Sequence, residues 1–458
     1  MKRENRDRAV RSASACLPLF LVSAAALLTV AGRVQANGRY PLADQLVAAS
    51  SDPAHLVVRT TFGLLDSADG GKSFTWTCEK AIGYFGAEDP PIALTGRGTT
   101  LVASSRGISV STDHGCSWRQ NPGLAGTWYG VDVTALPHAP ASAIALMSTY
   151  RDGAYTSSVL QTVDDGASWQ QVGRELPLDF VATTLEVAGP NSEIVYVSGR
   201  DTIRQEASVL RSDDAGLTWI QSYLGIKGSF ALFIGAVDPN DPNVVYVRAE
   251  IAGQGHVLVS RDGAATFEPI YQQEGGVLGL ALSGDGTTLA VGAPGAGVHV
   301  ASTSTFAFEK ASPLGAYCLA WVGADLLMCG KEALDSFSIA VSHDRGATFT
   351  PILHLSDVAP RACEAGSTAQ TTCGEFWGAV ALSIGADAGT STDASALRGP
   401  TLVADGGPKS GCGCSLAARD RFALAELAWP LALVLAKRRR IRSDPGNGRP
   451  TTQAERRA

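Results

Sequence analysis

The sequence predicts an all-β fold assembled from one small unit repeated seven times, and three observations lead there. The eight-residue stretch Ser212-Asp213-Asp214-Ala215-Gly216-Leu217-Thr218-Trp219 recurs as Ser67 to Phe74, Ser111 to Trp118, Thr162 to Trp169, Ser260 to Phe267 and Ser342 to Phe349. Its aspartates (Asp69, Asp113, Asp164, Asp214, Asp262, Asp344) are spaced by 44, 51, 50, 48 and 82 residues. A fixed period of this size signals a repeat architecture, and the doubled last gap holds a decayed copy, visible as Val298 to Ser302 followed by Thr305-Phe306. The third observation is composition: 50 glycines, 45% hydrophobic and 18% charged residues in 458 fit many short strands joined by turns.

Each residue type in the repeat has a mechanical role. The aspartate carboxylate can accept backbone N–H groups just downstream, and the serine or threonine hydroxyl (Ser67, Ser111, Ser212, Ser260, Ser342) ties the turn from its other side. The glycine (Gly71, Gly115, Gly166, Gly216, Gly346) supplies a positive φ. The fifth copy has Ala264 there, so its turn is distorted or Gly263 takes the special angle. The closing Trp or Phe opens the next strand and covers the turn. Apolar runs such as Val257-Leu258-Val259 precede the turn and alternating runs follow it, so it joins two strands of a hairpin. The same cluster recurs unit after unit, which makes it a structural tie rather than a catalytic or calcium site.

These residues resemble the Asp-box (BNR) repeat of sialidases, sortilin-type receptors, two-propeller xyloglucanases and a photosystem assembly factor, over roughly residues 44–353. The resemblance implies a single β-propeller: seven blades of four antiparallel strands, the Asp-box turns joining third and fourth strands at the outer edge. In blade I, Gln45 to Ala49 is the inner strand, His55 to Arg59 the second, Phe62 to Leu65 the third and Phe74 to Cys78 the fourth. The acidic turn Asp238 to Asn243 consists of ordinary turn formers. Phe376 to Leu382 reads as one more strand, closing the ring or opening an eighth unit.

The ends predict export and anchoring. Residues 1–36 read as a signal peptide, with five basic residues before an apolar run, Leu17 to Val30, and a small-residue cleavage site at Val34-Gln35-Ala36; Cys16 precedes that run, unlike a lipobox. The propeller spans 37–384, and 385–410 is a flexible Ala/Ser/Thr/Gly/Asp stalk. Residues 411–458 hold Cys412 and Cys414, an apolar segment from Phe422 to Ala436, and Lys437-Arg438-Arg439-Arg440. This order resembles the MYXO-CTERM sorting tail, which implies processing near Cys412 or Cys414 and attachment to the cell surface, with a membrane as partner through the tail.

Residues 37–414 carry 21 basic and 38 acidic side chains, a net of −17, which argues against nucleic acid as a partner. Six cysteines remain in the exported body, an even number that fits disulfides. Cys318 and Cys329 sit symmetrically about Gly323-Ala324 and are expected to pair; Cys363–Cys373 would close the later loop and Cys78–Cys116 would tie the first two blades. No spacing suggests zinc, another metal or a cofactor. The seven histidines are scattered, and His55, His114, His138 and His343, in or beside turns, are expected at the surface. A sialidase needs an arginine triad, and the nearest arginine to the first repeat is Arg59; a xyloglucanase needs a cleft between two propellers. The expectation is therefore a non-enzymatic, monomeric binding or adhesion module for a glycan or protein at the cell surface. The alternatives are a divergent glycoside hydrolase and an envelope assembly factor.

Overall fold

Seven sheets follow one another along the chain in a computed structural model that describes residues 39–388 except 87, 122, 125–126, 152–153, 189–192 and 229–231. The predicted signal segment 1–36, all but the first four residues of the stalk, and the tail with Cys412 and Cys414 lie outside the described residues. Blade I consists of Ala43–Ala49, Asp52–Thr60, Gly63–Ser67 and Thr75–Thr77, paired antiparallel in that order. Blades II to VII repeat this over 92–120, 129–172, 180–227, 232–274, 279–312 and 318–353. The first strand of each sheet packs against the first strands of the sheets before and after it, and the seventh returns to the first. The fold is a seven-bladed β-propeller.

The blades stick because their middle strands cannot be left half-covered. Gly63–Ser67 and Gly107–Ser111, the third strands of blades I and II, are buried at every residue. Apolar clusters sit at the junctions: Leu101, Ile108 and Val110 of blade II meet Ala143, Ala145 and Met147 of blade III, and Tyr196 and Val209 of blade IV meet Val245 and Val247 of blade V. Burying such side chains stabilises by about 1.5–3 kcal/mol each, so removing one blade would expose two interfaces.

The repeated turn is built alike in every complete copy. Ser212 Oγ donates to Asp214 Oδ1 (2.8 Å) and accepts Gly216 N–H (2.7 Å), while Thr218 donates its N–H to Asp214 Oδ1 (2.8 Å) and its hydroxyl to Oδ2 (2.7 Å). Two successive residues take positive φ: Ala215 and Gly216, His114 and Gly115, Asp165 and Gly166. In blade V both Gly263 and Ala264 lie at φ 70, and Ala264 N–H still reaches Ser260 Oγ (2.8 Å), so the turn is not distorted. The Ala264 methyl is buried, which offsets part of the left-handed strain. In blade VI, Ser304 stands where the other turns have aspartate and bonds Ser302 Oγ at 2.9 Å.

The ring closes differently from expectation. Blade I is complete without help from the C-terminal end, which instead adds Ala359–Pro360 as a fifth, outer strand parallel to Thr75–Trp76. Phe376 to Leu382 is no strand: it lies in a helix, Thr368–Ile384, capped by Ser367 and ended by Gly385 at φ 73. The helix buries Ala369, Cys373, Trp377, Ala381 and Ile384, a stripe at steps of three and four, and Trp377 meets Trp76 at 5.5 Å. A short apolar run is ambiguous between strand and helix until its partner is known. The expected Cys363–Cys373 and Cys78–Cys116 bridges are replaced by Cys78–Cys373 and Cys116–Cys363. The arm carries Cys363 to the blade II turn, and the helix then returns Cys373 to the end of blade I, so both cysteines of the arm face the wheel rather than each other. Cys318–Cys329 forms across the first hairpin of blade VII, where the two residues are register partners.

Two stability predictions follow from this arrangement. With Cys78–Cys373 intact, Cys116–Cys363 closes an effective loop of about 50 residues, so the double substitution Cys116→Ser, Cys363→Ser should lower stability by about 4 kcal/mol in denaturant unfolding and speed amide exchange in 359–384. The hydroxyl and N–H of Ser73 hold the Asp69 carboxyl at about 2, and those of Ser168 and Thr348 hold Asp164 and Asp344 there too. Because the folded values lie below the ordinary value of about 3.9, this stabilisation is whole above pH ~4 and is lost as pH falls through about 2. Thermal melts should fall steeply as pH drops below about 4.

Candidate binding surface

Strand direction divides the wheel into two faces. The first strand of each blade runs toward the face that carries the repeated turns, the second runs back, and the fourth ends on the opposite face. That opposite face, the hairpin face, carries the hairpins between second and third strands and the connections between blades. Tyr40, Phe85, Tyr129, Tyr150, Tyr155, Leu178, Val181, Ile203, Leu278 and Leu334 lie on it, ten of the fourteen large apolar side chains that are exposed among the described residues. Val163, Leu217 and Ile220 belong to the turn face.

The densest group is on blade III. Tyr150 and Tyr155 are cross-strand partners with ring centroids 4.9 Å apart. Tyr129 pairs with Ser148, two residues from Tyr150, so the three tyrosines share one side of the sheet. Ile144, Leu146 and Val159 on the same side pack against Phe180 and Leu185 of blade IV. The tyrosines, 46%, 55% and 43% exposed, therefore crown the cleft between blades III and IV, with Leu178 in the connection that joins the two blades. On the other side of the sheet the Arg151 guanidinium sits 5.5 Å from the Trp128 ring.

Beside this cleft lies the central channel. The innermost strands have an open edge, and side chains of neighbouring blades satisfy it. Gln45 exchanges two hydrogen bonds with Ile92, Leu185 N–H donates to Asp132 Oδ2 (2.9 Å), Ile234 N–H to Thr184 Oγ1 (2.9 Å), and Arg248 donates to Val277 O (2.7 Å). Burial pushes the Glu186 carboxyl up to about 8, with the Asp132 charge adding to it. Burial likewise pushes Asp132 up to about 7 against two backbone donors, Leu185 and Val133. Arg248 is brought down to about 10, first by burial and then by the charge of Arg59. Arg59 is held by Asp44 (2.8 Å) and Gln45 (3.1 Å). It is an ion-paired channel residue of blade I. The channel thus holds two carboxyls able to carry a proton near neutrality, beside fixed cations.

The repeat residues form the turns, Cys78, Cys116, Cys363 and Cys373 form the clasp, and Cys318–Cys329 is buried within the first hairpin of blade VII. Asp132, Glu186 and the three tyrosines were not singled out in the sequence. The available signal was Tyr150 and Tyr155 placed evenly about Asp152-Gly153, with Trp128-Tyr129 one strand earlier. His55, expected at the surface, is buried against Asp66, because the turn of blade II covers it.

No protein-family model and no curated protein matches the chain. Among solved structures, it is similar to a GH74 enzyme of Niastella koreensis at 13% identity, over 67% of this chain and 65% of that one, with a TM-score of 0.39. It is also similar to YCF48 bound to D1 peptide (14% identity, 66% and 92% covered, TM-score 0.45) and to Saccharomyces cerevisiae Sqt1 (10%, 68% and 85%, 0.46). The chain spans less than two thirds of the GH74 enzyme's length. Identities this low say nothing of activity, and the blade count rests on the chain's own sheets.

The raised Glu186 value has a testable sign. Its folded value, about 8, exceeds the ordinary value of about 4.3, so its contribution is whole below pH ~4 and is lost as pH rises through about 8. Glu186→Gln, neutral and of the same shape, should melt progressively higher than the wild type between pH 5 and 9, read by calorimetry across that range.

Proposed function

We propose that this protein is an exported binding module, held at the cell surface by its C-terminal tail, that takes a glycan on the hairpin face at the cleft between blades III and IV. The observation that carries the reading is the trio Tyr129, Tyr150 and Tyr155, left in water on one side of one sheet, with the Tyr150 and Tyr155 rings tilted by 56° to each other. Tyrosine offers a rigid apolar ring for stacking and a hydroxyl for hydrogen bonding at small entropic cost, the combination a pyranose ring with its apolar face and polar rim requires. The net −17 of residues 37–414 favours neutral or cationic ligands over polyanions. The resemblance of the turns to Asp-box repeats and of the tail to a sorting signal supports a displayed wheel whose repeated face is structural and whose other face varies.

A second reading, glycoside hydrolysis, is favoured by Asp132 and Glu186. A carboxyl protonated near pH 7 is a general acid in waiting, and its neighbour could act as base or nucleophile. A glycan and polysaccharide array separates the readings. The binding reading expects saturable binding without turnover, weakened at least about fivefold in Tyr150→Ala, Tyr155→Ala, as loss of stacked aromatic contacts worth roughly 1–3 kcal/mol implies. Turnover abolished by Glu186→Gln would establish the hydrolase instead. Binding only to a protein partner would overturn the glycan assignment.

A further inference from the structure

One cluster occurs at a single blade junction and has no counterpart in the other repeats among the described residues. His55 lies in the second strand of blade I, 2% exposed, with Nε2 2.8 Å from Asp66 Oδ2. Asp66 lies in the third strand, immediately before Ser67 of the first turn, where the other turns have Val110, Gln161, Arg211, Val259 and Val341. His114 comes from the turn of blade II, in the left-handed position (φ 55), and its ring centroid is 4.4 Å from that of His55. Its Nδ1 is buried and makes no hydrogen bond although Asp66 Oδ1 is 3.5 Å away, while the ring is half-exposed. Among the described residues no other three His, Cys, Asp or Glu side chains converge in this way, with donor atoms within 4.8 Å of one another.

We propose that His55, Asp66 and His114 form a binding site for a divalent transition-metal ion of the zinc class, which staples blade I to blade II. Two imidazoles and one carboxylate are a donor set that Zn²⁺ and its neighbours in the first row accept, with a fourth position left for water. Ligands held about 2.0–2.1 Å from a tetrahedral ion stand ~3.3 Å apart; His55 Nε2 is 2.8 Å from Asp66 Oδ2 and His114 Nδ1 is 3.5 Å from Oδ1, and one ligand atom from each residue lies within 4.8 Å of the others, so small side-chain shifts would close the set on an ion. The ion would satisfy the His114 nitrogen, whose burial without a partner otherwise costs free energy.

The surroundings supply an outer shell. Arg361, on the C-terminal arm, donates Nη1 to Asp66 Oδ1 (2.8 Å) and to Thr75 Oγ1 (2.5 Å), which orients the carboxylate with Oδ2 toward His55 and Oδ1 toward His114. The guanidinium charge also weakens the hold on a cation, so the affinity falls below that of an arginine-free site of the same ligands. The two disulfides of the arm fix Arg361, so metal, arginine and clasp form one assembly at the closure of the ring. The repeated serine–aspartate ties recur because they are structural; this group sits once, at the junction the clasp covers.

The test uses the purified protein without a polyhistidine tag, stripped with chelator and titrated with Zn²⁺ and with Co²⁺. One equivalent should bind, raise the melting temperature reversibly, and give Co²⁺ the intense visible absorption of a four-coordinate site. His114→Ala, at a half-exposed turn position, should keep the metal-free melting temperature and lose affinity by more than the roughly 10–100-fold that outer-shell losses cost. His138→Ala, at an exposed position that contributes no donor to the cluster, should bind as the wild type does. Absence of stoichiometric binding, or binding that persists in both His114→Ala and His55→Ala, would overturn the proposal and leave a hydrogen-bonded His–Asp–Arg network.

Discussion

A blade of this protein cannot cover its own faces. Its second and third strands are apolar on both sides, so each sheet needs a neighbour before it and a neighbour behind it. That requirement has only a closed solution, and every other feature is placed by it. The free edge of each first strand points at the axis, where side chains such as Asp132, Thr184 and Arg248 reach across from adjacent blades to complete its hydrogen bonds. The channel is polar because those edges must be answered, and its charged groups are perturbed because they are answered in a confined space.

A ring made from consecutive strands has one weak point, the junction between its last and first blades. Here no strand is exchanged to lock it. The apolar contact of blade VII with blade I is supplemented from outside: a two-residue strand, a helix and two disulfides fold the chain's C-terminal arm back over blades I and II. The long separations these bridges span, 295 and 247 residues, mean that they restrict the unfolded chain strongly. Arg361 rides on the arm and pairs with buried Asp66, so the clasp also carries charge into the junction where His55 and His114 meet.

The two faces are constrained unequally. On the turn face, one set of hydrogen bonds is repeated with distances between 2.7 and 2.9 Å, and even Ala264 adopts the geometry of glycine there. On the hairpin face, the second hairpin has a two-residue loop in blades I, II, III and V but longer loops over 202–205, 294–296 and 330–338 in the others, its side chains differ from blade to blade, and the exposed tyrosines of blade III have no equivalent in the other blades' hairpins. A rigid repeated face frees the opposite one to vary, which is why recognition is assigned there.

What the sequence alone determined was everything that depends on local order along the chain. The period of the turns set the number of blades, because each turn is closed by atoms within seven residues. The Cys318–Cys329 pairing followed from symmetry about a short hairpin for the same reason. Tertiary structure alone decided what depends on the ring returning to its start. Trp377 and Cys373 read as strand or loop until Trp76 and Cys78, nearly 300 residues earlier, supply the surface they pack on. His55 and His114 read as surface turn residues until two blades bring them face to face. Pairings between residues distant in sequence leave no periodic trace in the chain; they exist only once closure has fixed which surfaces meet.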